Sequence, residues 1–110
     1  MRGVVRKIWD VLDELEGLDA TDVGLKLLDE GVTGYREIGS SCPLANYLRR
    51  RVNPPSNVSI NVLKDRIVVA TNAPEPGQPP VVFIPLSDGV AGFVQAFDDG
   101  DWPELEEPED

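Results

Sequence analysis

Apolar residues recur at steps of three and four through Val4, Val5, Ile8, Val11, Leu12, Leu15 and Leu18, the spacing of one face of an α-helix. Arg6, Lys7, Asp10, Asp13, Glu14 and Glu16 fall on the opposite side, Trp9 lies beside the stripe, and Gly17 marks the stop. A shorter second helix follows, capped by Asp19 or Thr21, carrying Val23, Leu27 and Leu28 and closed by Gly31. Gly24 within it costs about 1 kcal/mol relative to Ala, so this helix depends on packing rather than propensity. After an extended stretch over 32–39, Ser41 and Pro43 open a third helix over 42–52. The Ser41 side chain is suited to accept the free backbone donors, and a proline in the first turn forfeits no hydrogen bond. Leu44, Tyr47, Leu48 and Arg51 share one side of it, and Asn53-Pro54-Pro55 ends it.

Beyond the two prolines the period shortens to that of a strand: Val58, Ile60 and Val62 alternate with Ser59 and Asn61. Lys64-Asp65 supplies a tight turn, and 66–71 returns as the second arm of a hairpin. Four prolines and a glycine in 73–80 interrupt the ladder before a third strand over 80–84, antiparallel to the second. Ser87-Asp88 then starts a last helix whose Val90, Phe93, Val94 and Phe97 form one apolar side, with Gly100 as its end. The pattern predicts an α+β fold: N-terminal helices, a three-stranded antiparallel sheet (57–63, 66–71, 80–84) and a C-terminal helix packed on it. It forms a single domain over 1–105, and 106–110 is expected to be a disordered acidic tail.

Charge adds what periodicity does not show. Of a net −10 over 110 residues, the first 51 carry 8 basic and 9 acidic side chains, whereas 52–110 carry only Lys64 and Arg66 against 11 acids. Such a half repels phosphate backbones and attracts basic surfaces, so a basic protein is the expected partner and direct nucleic-acid binding is disfavoured. A chain of this length builds one core and not two. Apolar runs such as 81–84 are far too short to span a bilayer, and a lone Cys42 forms no internal disulfide. No leader-like segment precedes the acids that begin at Asp10, so no membrane association and a cytoplasmic location are expected.

The absence of histidine removes the commonest general base and metal ligand. No catalytic residue, metal site or cofactor is expected. Cys42 at a helix start could be a thiolate nucleophile or a packed core residue, and the packed reading is the simpler one without a second Cys or a His. Gly31, Gly34 and Gly39 match no phosphate-loop spacing and read as turns. Arg49, Arg50 and Arg51 form the single basic cluster, either a solvated helix end that complements the dipole or a contact for a carboxylate or phosphate. Asp98, Asp99, Asp101 and Glu104 do not follow a calcium-loop spacing. With Trp102 among them they read as a solubilising segment or as a docking element for a basic partner.

Three segments carry a resemblance: Gly31-Val32-Thr33-Gly34, Ser41-Cys42-Pro43-Leu44-Ala45-Asn46-Tyr47-Leu48, and Phe93-Val94-Gln95-Ala96-Phe97-Asp98-Asp99-Gly100-Asp101-Trp102-Pro103-Glu104-Leu105. Over about 20–105 the chain resembles a group of small uncharacterised actinobacterial and phage-borne proteins that pair a Cys-Pro-Leu/Ile-Ala-x-Tyr-Leu helix start with a Phe-x-x-x-Phe-Asp-x-Gly-x-x-Pro-Glu-Leu ending. More loosely, 66–102 is similar to short proteins encoded beside helix-turn-helix regulators. Trp102 replaces the usual Tyr, and the insert at 74–80 is longer than in that pattern. The resemblance implies cytoplasmic residence and transfers no catalytic residue. The leading expectation is therefore a non-enzymatic adaptor or regulator that binds a protein through its acidic C-terminal half. Alternatives are an inhibitor that imitates nucleic acid in a basic groove, a thiol-dependent enzyme using Cys42, and a small-molecule binder. An exposed stripe on the first helix would also support a homodimer.

Overall fold

The computed structural model describes residues 2–107. Four helices, α1 (Arg2–Leu15), α2 (Ala20–Asp29), α3 (Pro43–Val52) and α4 (Asp88–Asp98), combine with strands β1 (Val58–Val62), β2 (Arg66–Thr71) and β3 (Val81–Pro85). A 3-10 turn, Pro103–Leu105, follows. The sheet is an antiparallel meander in the order β1-β2-β3, with Ile60 opposite Val69 and Ile67 opposite Ile84. The α+β architecture and the order of its elements follow the periodicities, with strand limits shifted by a single residue or less.

Helix starts depend on local chemistry. The Asp19 carboxylate accepts from the Asp22 N–H at 2.8 Å, and Ser87 Oγ accepts from the Val90 N–H at 3.4 Å. At α3 the cap is not Ser41 but Cys42, whose Sγ accepts from the Ala45 N–H at 3.4 Å. Ser41 instead offers its carbonyl to the Tyr35 N–H at 2.9 Å and to Asn46 Nδ2 at 3.2 Å. Asn53 closes α3 in the left-handed region at φ 50°, ahead of the two prolines.

One core gathers all the elements. From α1 it takes Ile8 and Leu15, from α3 Leu44, Tyr47 and Leu48, from the sheet Ile60, Ile67, Val69 and Ile84, and from α4 Phe93 and Phe97. Helix α3 sits at the centre, touching α1, α2 and β1, while α4 lies against α2. The α2–α4 approach is set by small residues: a side chain on Gly89 would strike the Leu18 carbonyl, and one on Gly92 would meet Ala20 at 3.4 Å.

Three features go beyond the periodicities. The α1 stripe is buried in the core rather than open to a second copy, and only Trp9 of this helix stands out as a large exposed apolar residue. Leu28 points outward, 41% exposed, because α2 turns Val23, Gly24 and Leu27 inward. Residues 106 and 107 of the expected tail make backbone bonds to the loop after α2. The Glu107 N–H donates to the Gly34 carbonyl at 2.8 Å and the Gly34 N–H donates to Leu105 at 2.9 Å, a short parallel bridge that holds Glu106 and Glu107 in place. Residues 108–110 of the expected tail lie outside the described residues.

Candidate functional site

The acidic end is built on the close of α4. The Gly100 N–H returns to the Phe97 carbonyl and the Asp101 N–H to Ala96, both at 3.0 Å, with Gly100 at φ 89° in the left-handed region where a side chain would be strained. This turn throws the chain back toward α2, where the Trp102 ring lies over Gly24 and meets Phe93 at a centroid distance of 5.9 Å. Leu105 is fully buried just beyond it. Two side chains from the core thus nail down the segment that carries the carboxylates.

The carboxylates themselves divide into two groups. Asp98 is half-buried and its Oδ1 accepts from the Glu37 N–H at 2.9 Å, strapping the 35–39 loop to the end of α4. Asp99, Asp101 and Glu104 are exposed, and among the described residues none of them takes part in an ion pair. Asp99 accepts only from Gln95 Nε2, at 3.1 Å. The Arg36 guanidinium lies against Gly100 in the same turn and pairs through Nε with Glu106 at 2.9 Å. Asp98 and Asp99 stand at the negative end of the α4 dipole, whose last turn has no basic residue.

The other sequence candidates do not join this group. Arg49 donates to the Ile60 carbonyl at 3.4 Å and to Asn46 Oδ1, tying α3 to β1. Arg50 donates to the Glu30 carbonyl at 2.6 Å. Arg51 forks onto the Glu14 carboxylate at 2.6 and 3.1 Å and onto Tyr47 Oη at 2.6 Å. The arginine row therefore braces α3 against its neighbours, and no ion pair among the described residues links it to the acidic end. Trp102 is partly buried, packed against the core and Phe93.

Cys42 is 5% exposed, and burial pushes its thiol up from the ordinary range. The Ala45 and Leu44 backbone donors act in the opposite direction without overcoming this, and nearby Asp98 raises it further. The thiol is protonated near neutrality and serves as a helix cap. It also lines a cavity of about 180 Å³ between the start of α3, the end of β1 and α4, with Val62, Phe93, Val94 and Phe97 as apolar walls. Glu37 and Ile38 complete its rim. Sequence reasoning missed these two because they gain their place only through the left-handed Glu37 at φ 61° and the Asp98 strap. Gly39 was readable as a turn, yet it stands where any side chain would press on the Val62 carbonyl.

Among the described residues no helix is long and apolar enough to cross a membrane, and no three His, Cys, Asp or Glu side chains are grouped to hold a metal ion. No protein-family model, no curated protein and no solved structure matches the chain.

Proposed function

We propose that the protein is a non-enzymatic adaptor or regulator that docks on a basic protein surface through the acidic corner at the end of α4, in the cytoplasm. The observation that carries this reading is the arrangement of Asp99, Asp101 and Glu104: exposed, without ion pairs among the described residues, and mounted on a turn immobilised by Trp102 and Leu105. Carboxylates at a helix C-terminus oppose the dipole, so they do not contribute to stability there, and a partner's cations would relieve them. The buried, protonated Cys42 favours a role without thiol chemistry. The resemblance to small actinobacterial and phage-borne proteins fits a cytoplasmic accessory protein.

A truncation after Asp98 is no test, since it removes Trp102 and Leu105 from the core. The informative variant is the triple neutralisation D99N/D101N/E104Q, compared with the native chain as bait in a lysate of the source at about 50 and about 300 mM salt. Partner recovery that falls with salt and is lost in the variant, with a thermal unfolding midpoint no lower than that of the native chain, is expected. Equal recovery by both baits removes the acidic corner as the docking element. Displacement of the same partner by duplex DNA would redirect the reading to nucleic-acid imitation.

A further inference from the structure

The cavity beside the acidic corner differs from an ordinary packing gap. Its volume, about 180 Å³, exceeds the roughly 150 Å³ that accommodates a benzene ring in an apolar protein interior. Phe93 and Phe97 are 1% exposed, Val62 4% and Val94 5%, so the walls are core residues, whereas Glu37 and Ile38 reach solvent and mark the mouth. A void of this size weakens the fold unless something occupies it.

Polar chemistry is concentrated at one end. Glu37 and Asp98 line the cavity, and no lysine or arginine does. Asp98 Oδ1 is engaged by the Glu37 N–H, and among the described residues Oδ2 accepts no hydrogen bond. A neutral thiol, from Cys42, completes the lining. Apolar walls, aromatic rings and an open carboxylate oxygen at the rim suit an occupant with an apolar body and a cationic head. The net charge of −10 concentrates such cations around the molecule.

We propose that this cavity binds a small organic cation, a primary ammonium or guanidinium on an apolar ring or stem of about six to eight heavy atoms. The apolar part lies among Val62, Phe93 and Phe97, and the charge meets Asp98 and Glu37 at the mouth. The same chemistry is offered by a free amine and by a lysine or arginine side chain of another protein. The site does not depend on Asp99, Asp101 or Glu104.

The test is a two-dimensional amide NMR titration of the full chain with benzylamine, benzyl alcohol, benzoate and Nα-acetyl-lysine methylamide. Benzylamine is expected to give saturable shifts confined to 37–43, 62–63 and 93–98, with a dissociation constant roughly in the millimolar range open to so small a ligand. Benzyl alcohol should bind about tenfold more weakly, and benzoate not at all. D98N keeps an oxygen for the Glu37 N–H, so it folds while reducing benzylamine to the level of the alcohol. E37Q, at an exposed position, should weaken the amine without touching the fold. Binding of the lysine derivative as tightly as benzylamine identifies a protein side chain as the occupant, and binding of benzylamine alone identifies a free amine. Absence of saturable shifts in this region, equal affinity for benzoate, or an undiminished amine preference in both variants overturns the proposal.

Discussion

At the scale of single residues, the most informative position is Gly24. Helix propensity alone makes it a defect, and replacing it with Ala would return about 1 kcal/mol in an open helix. Here a Cβ would fall inside the Trp102 ring, so the ring must leave its place against Phe93. Overpacking of this kind costs about 1–3 kcal/mol, so after the propensity gain G24A is expected to be net destabilising by up to about 2 kcal/mol in urea unfolding. Gly3, with nothing within 4 Å of its would-be side chain, is the control: G3A should stabilise α1 slightly. A stabilised G24A would mean that Trp102 does not rest on α2. Neither glycine is distinguishable in the sequence, because what separates them is a neighbour from the far end of the chain. Cys42 shows the converse case, its place at a helix start being readable from Pro43, while its role as the cap in place of Ser41 was not.

At the scale of elements, the starts and stops were the legible part. Asp19, Ser87, Gly31 and the Asn53-Pro54-Pro55 stop each act within a turn of where they stand, and local hydrogen bonding is what sequence encodes directly. Contacts between elements were less so. The arginine row looked like a free basic cluster, yet Arg49 occupies the Ile60 carbonyl on the outer edge of β1 and Gly39 occupies the Val62 N–H on the same edge. The opposite edge, β3, is limited differently, by Pro80 before it and Pro85 at its end. Phe83 stands on the outward side of this strand, 60% exposed, with the Arg66 guanidinium 5.4 Å from its ring centre.

The link between α1 and α3 carries a pH signature. Arg51 beside Glu14 holds that carboxyl below its ordinary 4.5, burial opposing only in part, and Glu14 in turn keeps Arg51 charged. A depressed folded-state value contributes stability above the ordinary carboxylate range and loses it as pH falls through the lowered value. With side chains 35% and 44% exposed, the pair contributes at most about 1 kcal/mol. E14Q should therefore lower the stability at pH 7 by that small amount and flatten the acid limb of the stability curve. An acid limb identical to that of the native chain would show that the ion pair does not persist in solution.

At the scale of the whole molecule, charge separation was legible and its local disposition was not. The sequence places the acids in the second half; the fold shows that Glu106 and Glu107 are engaged with Arg36 and Thr33, while among the described residues Asp99, Asp101 and Glu104 are not ion-paired. A net −10 on 12.0 kDa with few ion pairs among the described residues makes self-repulsion a global term. Raising salt from about 20 to about 500 mM should increase the unfolding midpoint by a few degrees, because screening acts mainly on that repulsion. A midpoint that falls over this range would mean that attractive pairs outweigh it.

The bridge between Gly34 and Glu106 has a consequence for biosynthesis. It joins the loop after α2 to residues translated well after it, and Trp102 and Leu105 reach the core on the same stretch. Until 102–107 has left the ribosomal exit tunnel, a nascent chain presents Gly24 and Phe93 without their cover. Contacts so distant along the polypeptide are slow to form and leave sticky surface open meanwhile. Completion of this fold thus waits for 102–107, and a chain that has not yet made that stretch exposes apolar surface of the kind chaperones bind.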